Sequence, residues 1–356
     1  MNKRHDLDFL SPSSDEGRPF PRRQFLRLAW GGAVGVGAAA LATGASAQPL
    51  SEQGWRERYL TGFGTTLSVR VWHARPAVAE QALEAAVGLI RRIEDQMSLF
   101  RDDSAVRQLN RQGVLHRPAP ELLAVLRLAQ SVSAQSQGRF DVTIQPLWEV
   151  FARAKAGSAG LPSPRQVAQA KARVGWQHLR LSQEAVWFER PGMGVTLNGI
   201  AQGFAADAVK ACLQGQGIEH ALIDTGEFQS LGQAEAARPW VLGVADPHDE
   251  ARLLTRLVSD GRAVATSGDN ATYFSADHRH HHIFDPRTGY SPTELSGVTV
   301  VAPQCGLADA LTKVMMVAGR DQALQLAASW GPQIDVLVVD KAGRWQATPG
   351  LQLRSP

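Results

Sequence analysis

The densest cluster of reactive side chains is His280-His281-His282-Ile283-Phe284-Asp285-Pro286-Arg287-Thr288-Gly289-Tyr290. It packs three histidines, an acid, an arginine and a threonine hydroxyl into eleven residues. Pro286 restricts the residue before it to extended geometry, and Gly289 permits a turn just after. His282 and Asp285 are therefore expected where a strand runs out into a rigid turn, a common seat for chemistry. The plain alternative is a metal-friendly surface loop. A second cluster is Ala308-Asp309-Ala310-Leu311-Thr312-Lys313. In a helix, Thr312 and Lys313 lie three and four residues beyond Asp309 and share its face. A carboxylate and a hydroxyl with nearby carbonyls make an oxygen site suited to Mg²⁺; a first-turn carboxylate favoured by the helix dipole is the structural alternative. The third is Thr196-Leu197-Asn198-Gly199-Ile200-Ala201-Gln202-Gly203-Phe204-Ala205-Ala206-Asp207. Its glycines precede a helix, so backbone N–H groups and a positive helix end can meet a phosphate. It is not the G-x-G-x-x-G pattern of dinucleotide-binding folds.

Four shorter stretches accompany these: Met97-Ser98-Leu99-Phe100 with Ser104 and Asn110 beyond it, the segment from Gly138 to Trp148, Ile223-Asp224-Thr225-Gly226-Glu227, and Ala265-Thr266-Ser267-Gly268-Asp269. Asp141 and Thr143 are expected on one face of a short extended segment. The positioning elements follow from periodicity. Helical apolar spacing covers 78–97, 118–136, 162–174, 203–213, 307–317 and 321–329. Strand patterns cover 65–71, 221–223, 240–244, 253–258, 263–266, 298–301 and 334–339, with a small hairpin at 179–188. Strands outnumber helices in the second half without alternating with them. The expected class is therefore α+β rather than a doubly wound parallel sheet.

Residues 1–47 read as an export leader. Arg22-Arg23 precede an apolar pair, an uncharged Gly- and Ala-rich run follows, and Ala45-Ser46-Ala47 is a small-residue cleavage site. The paired arginines match a twin-arginine signal, so the mature chain is expected to begin at Gln48 and to work in the periplasm. No later run is long and apolar enough to span a membrane, so no transmembrane helix is expected in the mature chain. The remaining chain, about 309 residues, carries 31 basic and 30 acidic side chains. Neither its balance nor any basic run points to nucleic acid. Cys212 and Cys305 are far apart in sequence and read as two buried thiols.

Taken in order, the M-S-x-F, F-D-V-T-x-x-P-L, L-x-G-I-A-x-G-F-A-x-D, strand-T-G, A-T-S-G-D, H-H-I-x-D-P-R-T-G and A-D-A-L segments resemble the ApbE family of FAD:protein FMN transferases, over roughly residues 62–319. The resemblance implies an α+β, T-fold-like ApbE domain, a single compact unit over 48–356 with mixed or antiparallel sheets. It implies FAD contacts from Ser98, Leu99, Phe100, Asp141, Val142, Thr143, Thr196, Asn198, Gln202, Ser267 and His282. It implies Mg²⁺ held by backbone oxygens at Gly199 and Ala201 and by Asp309, with Thr312 a further oxygen donor. His282 and Asp309 take the catalytic roles, His282 in proton transfer or phosphate contact because imidazole titrates near neutrality. The implied reaction moves FMN from FAD to a threonine hydroxyl of an exported or inner-membrane redox flavoprotein and releases AMP.

Four positions depart from the family pattern: Glu227-Phe228 after Gly226, Thr196 in place of an acid, Gln202 before the loop's last glycine, and Lys313 where a metal-ligand threonine is expected. Two arrangements are open at Lys313. Either Thr312 supplies the oxygen and Lys313 reaches to solvent, or the ammonium pairs with Asp309 and occupies the metal's place. An exported FAD-binding accessory protein and a metal-dependent FAD pyrophosphatase remain as alternative functions. For the leader, changing Arg22 and Arg23 together to lysine should leave uncleaved precursor inside the cell; normal export of that double variant, read by fractionation, would overturn the assignment.

Overall fold

The computed structural model describes residues 26–28, 52–157, 160–235 and 238–356. Most of the expected leader, including the Arg22-Arg23 pair and the cleavage site, lies outside these residues. In chain order the strands are β1 (Leu26–Leu28), β2 (Trp55–Gly62), β3 (Thr65–Trp72), β4 (Val114–His116), β5 (Leu179–Leu181), β6 (Ala185–Phe188), β7 (His220–Asp224), β8 (Phe228–Leu231), β9 (Val241–Asp246), β10 (Asp249–Val258), β11 (Ala263–Gly268), β12 (Leu295–Ala302), β13 (Asp335–Asp340), β14 (Trp345–Ala347) and β15 (Leu353–Arg354). The helices are α1 (Pro76–Met97), α2 (Ala105–Gln112), α3 (Pro120–Gln135), α4 (Gln145–Ala156), α5 (Pro164–Lys171), α6 (Ala201–Gly215), α7 (Cys305–Ala318) and α8 (Arg320–Ser329).

The main sheet has eight strands in the order β14-β13-β12-β11-β8-β7-β3-β2, every neighbouring pair antiparallel. One face carries the helices. Ala221 and Ile223 of β7, Ala263 and Ala265 of β11, Val298 and Val300 of β12, and Val336 and Val338 of β13 pack there with α1, α3, α6 and α7. The intervening residues Leu222, Val264, Val301, Leu337 and Val339 point to the other face. There they meet Leu242 and Val244 of β9 and Leu254 and Leu257 of β10, from a second sheet ordered β1-β9-β10-β15. Burial on both faces explains why β12 and β13 are buried at every position. The architecture is α+β with antiparallel sheets, as the sequence pattern predicts. Among the described residues no helix is long and apolar enough to cross a membrane.

Sequence periodicity locates α1, α3, α5, α6, α7 and α8 to within a few residues. Among the elements it misses are β2, α2 and β8, each for a physical reason. Strand β2 is an edge strand whose Arg56, Glu57 and Arg58 blunt any apolar alternation. Helix α2 buries only Val106 and Leu109. Strand β8 is buried throughout although two of its four residues, Gln229 and Ser230, are polar. The segment with Asp141 and Thr143 also differs: it is a turn closed by the Asp141 side chain, not an extended strand.

Two helices control the site. Helix α6 lies across the start of α7 with Gly203 at the crossing; a Cβ there would sit 2.3 Å from the Cys305 carbonyl oxygen and 2.6 Å from its carbon. Asp207, one turn along α6, caps α7: its Oδ1 accepts the Cys305 N–H at 2.7 Å and its Oδ2 the Gly306 N–H at 2.8 Å. Gly203→Ala should therefore force the two backbones apart. The expected loss is about 1–3 kcal/mol or more of folding stability, the range for overpacking a rigid core. Chemical denaturation reads it, and an unchanged midpoint would mean that α6 and α7 are less tightly held than drawn.

Candidate active site

Helix α2 gathers the first half of the site. From its N-terminal turn Arg107 donates to the Leu99 carbonyl at 3.2 Å. From its last turn the Asn110 amide clasps Val195, donating to its carbonyl at 2.8 Å and accepting its N–H at 2.7 Å. Thr196 then donates its N–H to the Val142 carbonyl at 2.8 Å. Three segments distant in sequence, at 98–100, 141–143 and 195–198, are thus tied by direct hydrogen bonds. Ser98 is buried, and its Oγ accepts the Phe100 N–H at 3.1 Å, which leaves the Phe100 ring 61% exposed against Gly64. An exposed ring beside a polar loop suits stacking on a flat heteroaromatic.

The Asp141 and Thr143 side chains are committed inside the protein. Asp141 Oδ1 accepts both the N–H and the hydroxyl of Thr143 at 2.7 Å, and its Oδ2 accepts the Trp176 N–H at 2.9 Å. Thr143 Oγ1 accepts the Gly175 N–H at 2.8 Å. Burial pushes the Asp141 carboxyl above its ordinary pKa despite these bonds. Both side chains fasten the 138–144 turn to the 175–176 loop, and Val142 is buried beside them.

The second half of the site is built on α6 and α7. The loop before α6 is folded back by the Asn198 N–H to Thr196 Oγ1 at 3.3 Å and the Ala201 N–H to the Leu197 carbonyl at 2.8 Å. Gln202 is buried at the helix start; its carbonyl accepts the Thr225 hydroxyl at 2.8 Å, and its amide covers Gly226, whose φ of +94° leaves no room for a side chain. Asp309 is 1% exposed, and its Oδ2 accepts the Gly203 N–H at 3.2 Å. Its Oδ1 pairs with the Lys313 ammonium, which also donates to the Asp309 carbonyl at 3.1 Å. Thr312 is fully buried and donates its hydroxyl to that same carbonyl at 2.6 Å, while Ser267 Oγ lies 2.7 Å from Thr312 Oγ1.

This geometry places Lys313 against the expected metal site of Gly199, Ala201, Asp309 and Thr312. Lys313 holds the free edge of Asp309, and its stem runs along Gly199, with Cε 3.1 Å from where a Cβ would lie. The Thr312 hydroxyl is spent within α7 and on Ser267. Ala201 is the buried first residue of α6. Among the described residues no three His, Cys, Asp or Glu side chains group as a cation site. The oxygens do not fit Mg²⁺ as arranged, because a protonated amine already takes the position where the ion would bind the carboxylate.

The histidines divide their roles. His281 is fully buried; a carbonyl only accepts, so its Nε2 carries the proton given to Pro292 at 3.0 Å. Burial lowers its pKa to about 3, so it is neutral at physiological pH. His282 is half-buried, and its Nδ1–H donates to the Thr272 carbonyl at 3.0 Å. That fixes the tautomer with the lone pair on Nε2, the form a general base needs. Asp285 accepts a bidentate pair from Arg287 and the Arg287 N–H, while its own N–H bonds the Tyr290 carbonyl. It shapes the turn and has no reactive role. The aromatic cluster of Phe151, Phe274 and Phe284 underlies this loop. Thr272, which holds His282, follows Ser267 by five residues, so the His loop hangs from the end of β11.

Sequence reasoning gave no role to Glu227, Asp224 or Asp207. Glu227 Oε2 accepts the Thr266 N–H at 2.9 Å, and burial, then the charge of Asp309, holds its carboxyl well above the ordinary range while Lys313 pulls it down. Their signal was a run of acids bordering glycine turns, which reads equally as loop chemistry. Cys305 is a buried thiol and Cys212 a partly buried one; both are free.

The fold is antiparallel α+β, with a glycine-bearing loop opening a helix, a buried carboxylate–ammonium pair under it and a tautomer-fixed histidine on the loop after β11, groups whose chemistry suits phosphate oxygens. The ApbE family profile matches residues 63–338, and the chain belongs to the ApbE family. The chain is 30% identical to the FAD:protein FMN transferase of Vibrio cholerae, covering 78% of this chain and 85% of that one. It is 31% identical to the FAD:protein FMN transferase of Treponema pallidum, covering 81% and 85%. Among solved structures it is similar to the ApbE protein of Thermotoga maritima, with a TM-score of 0.74 and 25% identity over 83% of this chain and 97% of that one. It is also similar to the apo flavinyl transferase ApbE of Pseudomonas stutzeri, with a TM-score of 0.72 and 26% identity over 83% and 94%.

Asp224, buried at the end of β7, offers a pH test. Its Oδ1 accepts the Gly226 N–H at 2.9 Å, and burial raises its pKa to about 6. A raised carboxyl binds its proton more tightly folded than unfolded, so it withdraws stability as pH rises from about 4 to about 6. Asp224→Asn keeps the acceptor and removes that loss. Its stability relative to the parent should climb between pH 4 and pH 6.5 and plateau above, by up to roughly 3 kcal/mol. Parallel pH-melting curves for the two proteins would refute this.

Proposed function

We propose that this chain is an FAD:protein FMN transferase. A threonine hydroxyl of the acceptor attacks the FMN phosphorus of FAD. A phosphoester bond forms, the phosphorus–oxygen bond of the pyrophosphate breaks, and AMP leaves with the bridging oxygen. The hydroxyl proton goes to His282 Nε2, whose lone pair is set by the bond from Nδ1 to Thr272. The isoalloxazine lies against Phe100, and the pyrophosphate over the 196–203 loop at the start of α6, where backbone N–H groups and the helix dipole favour it. The observation that carries this reading is the hydrogen-bonded union of the 98–100, 141–143 and 195–198 segments by Arg107, Asn110 and Thr196 in a chain of this family. Mg²⁺ has no place in it, for the reason given at Asp309. The acceptor belongs to an exported or inner-membrane redox system, a placement that rests on the Arg22-Arg23 leader.

The test uses the mature chain with FAD and a candidate acceptor flavoprotein, following AMP release and covalent flavin fluorescence on the acceptor. Both should appear together. AMP release at the same rate without acceptor would make the protein a pyrophosphatase, and tight FAD binding without AMP an accessory carrier. His282→Ala should cut turnover by about 10²–10⁴, the usual worth of a general base, and leave FAD affinity near that of the parent. Loss of FAD binding in that variant would show that His282 is a binding residue.

A further inference from the structure

The departure at Lys313 changes the charge from what the family resemblance implies, and it has a built environment. Asp309 is buried at 1% exposure and Lys313 is 17% exposed, so the pair lies inside the protein. The two are one helical turn apart on α7, and the ammonium has two fixed acceptors, Asp309 Oδ1 and the Asp309 carbonyl. The other edge of Asp309 is taken by the Gly203 N–H, from the turn that opens α6. The stem of Lys313 lies on Gly199, where any side chain would press on Cε. The lysine is thus threaded under the 196–203 loop, and the loop's glycine makes the space. Nearby, Glu227 adds a second buried carboxyl whose electrostatic neighbours are Asp309 and Lys313.

A divalent ion at this point would need Asp309 Oδ1 and the carbonyl that Lys313 already binds. It would also sit against a fixed positive charge in a poorly screened interior, where like charges repel most strongly. A lysine ammonium is a compact point charge that serves phosphate oxygens well. We propose that Lys313 is a tethered cation standing in the place of a divalent metal, so that this chain holds the pyrophosphate of FAD without metal. The proposal rests on the FAD reading above and deepens it.

Mn²⁺ is the probe. The parent chain with FAD is titrated with Mn²⁺, and free Mn²⁺ is followed by electron paramagnetic resonance; FAD affinity is measured by flavin fluorescence in EDTA and in excess Mg²⁺. The parent should take up no stoichiometric Mn²⁺, and its FAD affinity should differ by less than about threefold, well under the tenfold that 1.4 kcal/mol represents. Lys313→Thr, checked for its fold by circular dichroism, should gain one Mn²⁺ per chain with FAD and lose FAD affinity in EDTA. One Mn²⁺ bound by the parent, or FAD released from it by EDTA, overturns the proposal without need of any variant. A folded Lys313→Thr chain that still binds no Mn²⁺ overturns it too. The AMP assay is separate: metal-free FAD binding without AMP release removes the transferase reading and supports this one.

Discussion

The approach of α6 to α7 at Gly203 is the constraint on which the site depends. No side chain fits between that backbone and the Cys305 carbonyl. The crossing is locked by Asp207, which receives the first two N–H groups of α7. Because α7 begins there, Asp309 falls opposite the Gly203 N–H and is held by it. The same crossing sets where Thr312 meets Ser267 of β11, and hence how the strand that leads to the His loop sits relative to the loop before α6. A change at this contact would move both halves of the site at once. Small residues at a helix crossing commonly serve to bring backbones close; here that closeness aligns a backbone donor with a buried carboxylate.

The electrostatics of the interior follow from the same packing. Asp224, Glu227 and Asp309 converge beneath the 196–203 loop, and burial raises the first two above their ordinary range. Buried charges persist only when paired or hydrogen-bonded. Lys313 supplies the pairing for Asp309; the Thr266 and Gly226 N–H groups satisfy Glu227 and Asp224. An anionic ligand above this group meets two carboxyls biased toward their neutral form and an Asp309–Lys313 pair whose charges offset each other. That field is less negative than the sequence's acidic count implies.

Much of this was legible in the chain itself, for definite reasons. Helices α1 and α6 bury one broad stripe each, so their 3.6-residue spacing survives in the sequence, whereas α7 is buried nearly all round and reads as a mostly apolar run. Strands β12 and β13 read as apolar runs because both faces are covered. The ordered motifs identified the family and named most segments that the fold brings together. What the chain could not disclose was how side-chain oxygens are spent. Asp141 and Thr143 look like ligands two positions apart, yet their side chains are engaged in closing the turn and fastening it to the 175–176 loop. Thr312 and Lys313 share a helix face with Asp309, and spacing alone left both arrangements open. The rotamers decide it: Thr312 turns back on the carbonyl of its own helix and on Ser267, and the longer lysine reaches the carboxylate. Strand β2 was hidden because charges interrupt its alternation, and helix α2 because two buried side chains, Val106 and Leu109, in eight residues make too short a period to stand out.

The histidine run shows why residue type underdetermines chemistry even inside a specific motif. Successive side chains of an extended segment point to opposite sides. The isolated bridge between Tyr273 and His281 holds this segment extended. His281 therefore goes inward, where Pro292 takes its Nε2 proton and Ser291 bonds its backbone on both sides. A neutral imidazole sealed in this way cannot exchange protons with a substrate. His282, next along, turns the other way and keeps partial contact with solvent, and the bond from its Nδ1–H to the Thr272 carbonyl leaves the lone pair on Nε2. His280 packs near Phe151 and Tyr290, in the aromatic floor of the loop. Backbone parity of this short segment thus separates the sealed His281 from His282, which serves as the base in the proposed reaction, while packing against the aromatic floor sets His280 apart.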